Sequence, residues 1–196
     1  WIKAVSALTP GQVINIDGKT LRRSQDGTLG KNAIHMISAW ASSNHLVLGQ
    51  RKVDDKTNEI TAIPELLQVL AVDGCTVTVD AMGCQKDIAQ TIIDKGGHYV
   101  LALKENQPTL HDDVCLLFDD LDKSGPQSYQ HDCAETIEKG HGRIETRRCC
   151  VITDVVGVGS LPAAAGWPTL RSVVRVRAER RIKDVTTSSV RYYISD

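Results

Sequence analysis

Hydrophobic and polar positions along the chain follow two rhythms. Residues 13–19, V-I-N-I-D-G-K, alternate with period two: Ile14 and Ile16 point one way, Val13, Asn15 and Asp17 the other. Residues 33–41 and 46–53 read as two more strands, joined across Ser42-Ser43-Asn44-His45 as an antiparallel hairpin. Together the three make a meander. Ile60, Ile63, Leu67 and Leu70 then recur at helical spacing. With Thr61 as N-cap, Pro64 falls in the first turn, where its missing N–H would be unpaired anyway. Asp73-Gly74 closes that segment. Residues 75–79 form a strand ending at Asp80, residues 85–95 a helix with Ile88, Ile92 and Ile93 on one side and Gly96-Gly97 as its cap, and residues 98–103 a further strand. The predicted order is β-β-β-α-β-α-β. Its strand–helix–strand units imply parallel pairing with right-handed crossovers, hence an α/β protein with a mixed sheet flanked by helices.

After Pro108 the pattern changes. Leu110, Val114, Leu117 and Leu121 mark one more amphipathic helix, and residues 123–128 form a Gly/Pro/Ser loop. Residues 133–138 and 143–153 are strands flanking the turn K-G-H-G at 139–142. Residues 154–168 are a long loop, and residues 172–180 and 188–195 a second antiparallel pair. The expected division is 1–12 as a linker from a preceding segment, 13–108 as an α/β core, and 109–196 as a helix with a β-rich module. A chain that starts at Trp1 without Met is expected to be a fragment.

Composition changes this picture little. The 196 residues suit one domain, or one domain with a sizeable insertion, and 41% hydrophobic residues suffice for a core. A net charge of −1 counts against a strongly basic nucleic-acid binder. The charge is unevenly spread, however. Asp112, Asp113, Asp119, Asp120 and Asp122 form an acidic patch, and the last third carries Arg143, Arg147, Arg148, Arg175, Arg177 and Arg180 among others. A basic face and ordinary solvated strand faces both fit that distribution. No apolar run is long enough to span a membrane, and no signal peptide is evident. The six cysteines lack zinc-site spacing, so reduced thiols are expected.

The candidate chemistry lies in two strand-end carboxylates. Asp17 ends the first strand and Asp80 the fourth, 80 − 17 = 63 residues apart. A carboxylate at the C-terminal end of a strand in an open α/β sheet faces the crevice where ligands bind. Mg²⁺ takes oxygen ligands, commonly one or two carboxylates plus water and phosphate. Two-metal phosphoryl transfer needs ions roughly 3.5–4 Å apart, and so a bridging carboxylate and at least one more acid. Either aspartate alone is ordinary turn chemistry. The pair, with a three-strand meander ahead of the first helix, matches the ribonuclease H-like fold.

Five ordered motifs sharpen this: N-I-D-G-K-T-L-R, V-D-A-M-G-C-Q-K-D-I-A, Y-V-L-A-L-K-E-N-Q, H-G-R-I-E-T-R and R-Y-Y-I-S. They closely resemble the ISAs-type, H-repeat-associated insertion-sequence transposases of the Asp-Asp-Glu class, from about Val13 to Asp196. The resemblance implies that Asp17 and Asp80 are the first two catalytic acids and metal ligands, Asp17 bridging two Mg²⁺ or Mn²⁺ ions and Asp80 holding one. It implies DNA strand cleavage at element ends and strand transfer into target DNA, within a homodimer. It also implies a cytoplasmic protein, nucleoid-associated when bound to DNA. The family's Glu lies in an H-W-x-I-E-N helix after R-Y-Y-I-S. The expectation is therefore a catalytic-domain fragment with the final catalytic helix absent, holding two of three ligands and inactive alone. Cys84 departs from the pattern, where a small polar residue such as Thr is expected. A ribonuclease H-like nuclease without strand transfer, and an inactive DNA-binding remnant, are the competing readings.

Other residues carry weaker signals. Lys19, Arg22, Lys104 and Arg143 are candidate DNA-phosphate contacts, with surface solvation as the plain alternative. Glu145 is the one in-chain substitute for the third acid, although cross-strand pairing with Glu138 or Thr136 accounts for it. His141 reads as a turn residue, and Trp40 and Trp167 as packing residues.

Overall fold

In the computed structural model the described residues are 11–21, 24, 34–42, 46–53, 59–124, 129–140, 142–153 and 161–196. The chain divides into two compact units, Trp1–Leu101 and Ala102–Asp196. Arg22, Arg23, His141 and residues 154–160 of the predicted long loop lie outside the described residues.

The first unit is built on β1 (Val13–Thr20), β2 (His35–Ala41), β3 (Leu46–Val53), β4 (Thr76–Val79) and β5 (His98–Leu103), whose last two residues fall past the division. Their order is β3-β2-β1-β4-β5. The β1–β2 and β2–β3 pairs are antiparallel, and β1–β4 and β4–β5 are parallel. The connections β3 to β4, through α1 (Glu59–Val69), and β4 to β5, through α2 (Lys86–Asp94), both step across the sheet in the same direction. Right-handed crossovers therefore put both helices on one face. Accordingly α1 packs on α2, β2 and β3.

That face carries the apolar half of each strand. Ile14, Ile16, Ala39, Val77, Val79 and Leu101 are buried, as are Ile63, Leu66, Leu67, Ile88 and Ile92 from the helices. Each buried aliphatic side chain contributes about 1.5–3 kcal/mol. The alternation of β1 is as expected, with Val13 and Asp17 exposed between buried isoleucines.

One local expectation fails. α1 is already helical at Glu59, so Thr61 lies inside it and is not the N-cap. Pro64 is the helix's sixth residue, and the N–H it lacks would have bonded the carbonyl of Ile60. The loss therefore falls on an N-terminal carbonyl and leaves the rest of the ladder intact.

The second unit comprises α3 (Pro108–Ser124) and the antiparallel strands β6 (His131–Gly140), β7 (Arg143–Ile152), β8 (Ser172–Ile182) and β9 (Val185–Ser195), in the order β9-β8-β7-β6. α3 buries Leu110, Val114, Leu117, Phe118 and Leu121. Arg175 of β8 is 3% exposed. It donates a forked pair of hydrogen bonds to Asp122 of α3 at 2.9 and 2.8 Å and one to the Phe118 carbonyl, and lies 4.6 Å over the Phe118 ring. A buried guanidinium needs such compensation, and here it ties the helix to the sheet.

The expectation of reduced thiols is corrected for two cysteines. Cys133 and Cys150 form a disulfide. They are register partners on β6 and β7, with Cα atoms 4.2 Å apart, the close spacing of a non-hydrogen-bonded antiparallel pair. The hairpin closes at the Gly140–Arg143 pair, with Gly142 at φ +73°, so β6 is longer than predicted at both ends. Cys75, Cys84, Cys115 and Cys149 form no disulfide. No helix among the described residues is long and apolar enough to cross a membrane.

Candidate active site

The polar face of the first unit is assembled from β1 and β4. Asn15 and Thr78 are register partners, as are Ile16 and Val79. Asp17 and Asp80 are therefore the next residues on adjacent parallel strands, which run about 4.8 Å apart. The side of the sheet they share is fixed two residues earlier. The Thr78 hydroxyl donates to Asn15 Oδ1 at 2.5 Å, and Asn15 Nδ2 donates to the Ser42 hydroxyl at 2.6 Å. Both contacts lie opposite the buried face of Ile14, Ile16, Val77 and Val79.

The two carboxylates are held differently. Asp80 has extended backbone, φ −68° and ψ 178°, and caps the 3₁₀ turn Ala81–Gly83. Its Oδ1 accepts from the backbone N–H groups of Met82 at 3.1 Å and Gly83 at 3.3 Å. This fixes the carboxylate's orientation through one oxygen. Gly83 makes the turn possible: a Cβ there would lie 2.3 Å from Val79 Cγ1 and 2.9 Å from Ile63 Cδ1. Asp17 is exposed on β1, opposite Ser38 of β2.

Cys84 follows the turn and is fully buried, and burial pushes its thiol up to about 12. It is a neutral core side chain. Trp40 and Trp167 part company. Trp167 is buried, whereas Trp40 stays 38% exposed between the buried Ala39 and Ala41, in register with Asn15. Strand alternation turns Trp40 to the polar face, with more than half of its surface still covered.

The remaining candidates are placed as follows. Lys19 lies two residues beyond Asp17, exposed on the same strand. Lys104 is exposed just after β5, and its carbonyl accepts from the Gln107 N–H at 3.0 Å. Arg143 pairs with Glu145 at 3.2 Å. Glu145 is also bound by Arg147 at 2.6 Å and Arg180 at 3.7 Å, with 14% of its side chain exposed. Three guanidiniums thus engage the acid considered as a third ligand. Among the described residues, no group of three or more His, Cys, Asp or Glu is placed to hold a metal ion.

The donors that are present suit a hard divalent cation at the level of two carboxylates, with water and substrate phosphate completing the shell. The residues missed in sequence are Asn15 and Thr78. Their signal was available: N-I-D and T-V-D place a polar residue two positions before each aspartate, and both pairs are 63 apart.

Comparisons with known proteins point the same way. The family described as "Transposase DDE domain" matches residues 8–191. A protein of Xanthobacter autotrophicus named "Uncharacterized protein in dhlA 3'region" is 42% identical over 98% of this chain and 63% of its own length. "Putative transposase YncI" of Escherichia coli O157:H7 is 41% identical over 100% of this chain and 50% of its own. "H repeat-associated putative transposase YhhI" of Escherichia coli K12 is 40% identical over 100% and 51%. The chain thus spans about half to under two thirds of the length of these relatives. A solved structure of the piggyBac transposase synaptic complex with hairpin DNA aligns with 95% of this chain and 33% of its own, at 10% identity and a TM-score of 0.44, a level that assigns no fold.

Proposed function

The chain belongs to the transposase DDE domain family, and on that premise we propose that it is the catalytic region of an insertion-sequence transposase that cuts and joins DNA. The observation that carries the reading is the Asn15–Thr78 pair, which precedes two strand-end aspartates in register on one polar face. In this reading the β3-β2-β1-β4-β5 sheet, with both helices on its apolar face, is a ribonuclease H-like core.

Asp17 and Asp80 hold divalent cations, Mg²⁺ or Mn²⁺, which when bound supply Lewis-acid stabilisation of the scissile phosphate and of the attacking water or 3′-hydroxyl. The protein's own part is positional. The N–H groups of Met82 and Gly83 take one oxygen of Asp80 and leave the other toward solvent. The Thr78–Asn15–Ser42 chain of hydrogen bonds keeps β1 and β4 in the register that aligns the acids. Preorganisation of this kind removes reorganisation cost from the chemical step.

Lys19, Arg22, Lys104 and Arg143 contact DNA phosphates, and the active complex is a homodimer acting where the bacterial DNA lies, in the cytoplasm. Two carboxylates fall one short of the three-acid set of the class, so the 196-residue chain binds metal weakly and does not cut DNA alone.

The test uses a chain extended to the length of its relatives, Mg²⁺, and duplex DNA carrying the sequence that flanks its own gene. Site-specific nicking followed by joining to a second duplex is expected. Asp17→Ala and Asp80→Ala should each reduce it to background. Nicking without joining would favour a plain nuclease, and undiminished nicking by Asp17→Ala would refute the site.

A further inference from the structure

The sheet of the second unit has two faces, and α3 accounts for one. Arg175, Cys150, Ile152, Val173 and Ile194 are buried on that side. Strand alternation and register place a different set on the opposite face: Arg143, Glu145 and Arg147 of β7, Arg180 of β8, and Thr187, Ser189 and Arg191 of β9. This face holds a concavity of about 640 Å³ floored by Val176 and Ala178 and walled by Arg147, Arg180, Arg191 and Tyr193.

Three features of the concavity point to a ligand with many anionic oxygens. Glu145 gathers three arginines, accepting a hydrogen bond from Arg147 at 2.6 Å and forming ion pairs with Arg143 at 3.2 Å and Arg180 at 3.7 Å. A guanidinium has five N–H donors, so each keeps several free after bonding Glu145, even Arg147, which also reaches Glu138. Held by that hub, the side chains have already given up much of the rotamer freedom that binding would otherwise cost. Second, Thr187 and Ser189 present hydroxyls at period two beside them, and Ser, Thr and Arg are common phosphate contacts. Third, the cations are spread along a line. Arg191 lies opposite Val176 and Arg143 opposite Ile182, six residues along β8, or about 20 Å at ~3.3 Å per residue. By register Asp132, Glu138 and Glu145 share this face with the four arginines, which leaves 4 − 3 = +1, in a chain whose net charge is −1. A line of that length matches a run of phosphates better than a single small anion.

We propose that this concave face of β7–β9 is a DNA-docking surface that takes the phosphate backbone of duplex DNA, with Arg147, Arg180 and Arg191 as its contacts and Glu145 as the residue that positions them. The proposal rests on the reading of the chain as a DNA-acting enzyme and adds a surface apart from the aspartates.

The test is fluorescence anisotropy of the 196-residue chain with a labelled 20-base-pair duplex, titrated at several salt concentrations. The double variant Arg180→Ala/Arg191→Ala should lose roughly tenfold or more in affinity and about two units from the slope of log K against log salt. Glu145→Gln, with folding checked by circular dichroism, should bind more tightly and with a steeper salt slope, because it unmasks three arginines. Unchanged affinity and slope in the double variant, or no duplex binding by the parent chain, overturns the surface. Failure of the aspartate site appears separately, as nicking that survives Asp17→Ala in the extended chain.

Discussion

Replacing Gly83 with alanine adds one methyl group where the Asp80-capped turn presses on β4 and α1. Two effects oppose each other. Gly83 is not in the left-handed region, so its backbone tolerates alanine. On that ground alone the substitution would stabilise the chain by about 0.4–1 kcal/mol, through a less free unfolded state. Against this, the new Cβ would lie 2.3 Å from Val79 Cγ1, 2.9 Å from Ile63 Cδ1 and 3.3 Å from Val79 Cβ. Carbon atoms prefer about 3.5–4.0 Å. Val79 and Ile63 are 5% and 2% exposed and have little room to yield. Overpacking of this kind costs about 1–3 kcal/mol, so the clash wins and Gly83→Ala is expected to destabilise by about 1–2 kcal/mol. Urea unfolding followed by circular dichroism should show a lower midpoint at unchanged slope. Val79→Ala removes the nearest clashing atom, so in that background Gly83→Ala should cost about 1 kcal/mol less, a coupling typical of contacting residues. A Gly83→Ala midpoint at or above the parent's, or an equal cost in both backgrounds, would refute the reasoning.

Hydrogen bonds from Arg175, and then from Arg177, hold the Asp122 carboxyl down at about 2. Because the folded value lies below the unfolded one, this stabilisation is complete above about pH 4 and is lost as pH falls toward 2. Asp122→Asn should flatten acid unfolding over that window. At neutral pH it should cost about 1–3 kcal/mol, less than the ~3–5 of a fully buried pair because Asp122 is 38% exposed. The buried Cys84 thiol, pushed up to about 12, should resist thiol reagents at pH 8 until the chain unfolds, whereas the partly exposed Cys149 labels in the native state, as peptide mass spectrometry would resolve. Chain denatured without reductant should alkylate at four cysteines, and at six after reduction.

How much of this was legible in the sequence depended on whether local rhythm or long-range register decided the outcome. β1 and β5 followed from alternation because one face of each is buried and the other is not. The placement of Asp17 and Asp80 at strand ends was legible as a pair of acids, but the register of their strands was not. That register depends on the Thr78–Asn15 hydrogen bond, between residues 63 apart. The disulfide was hidden by a turn read two residues too long. With a two-residue loop at 141–142, Cys133 must oppose Cys150. Thr61 was misread because Pro64 was taken to demand a first-turn position, while α1 tolerates it one turn further in. The gathering of Arg143, Arg147 and Arg180 around Glu145 required two strands in register. Sequence spacing on β7 alone hinted at two of the three.

The central claim is that Asp17 and Asp80 form one cation site. Mn²⁺ titration of the 196-residue chain, followed by the loss of the free-ion electron paramagnetic resonance signal, tests it most directly. Saturable weak binding is expected for the parent, and its loss is expected in both Asp17→Asn and Asp80→Asn, while Glu145→Gln retains it. Binding that survives unchanged in both aspartate variants would contradict the account.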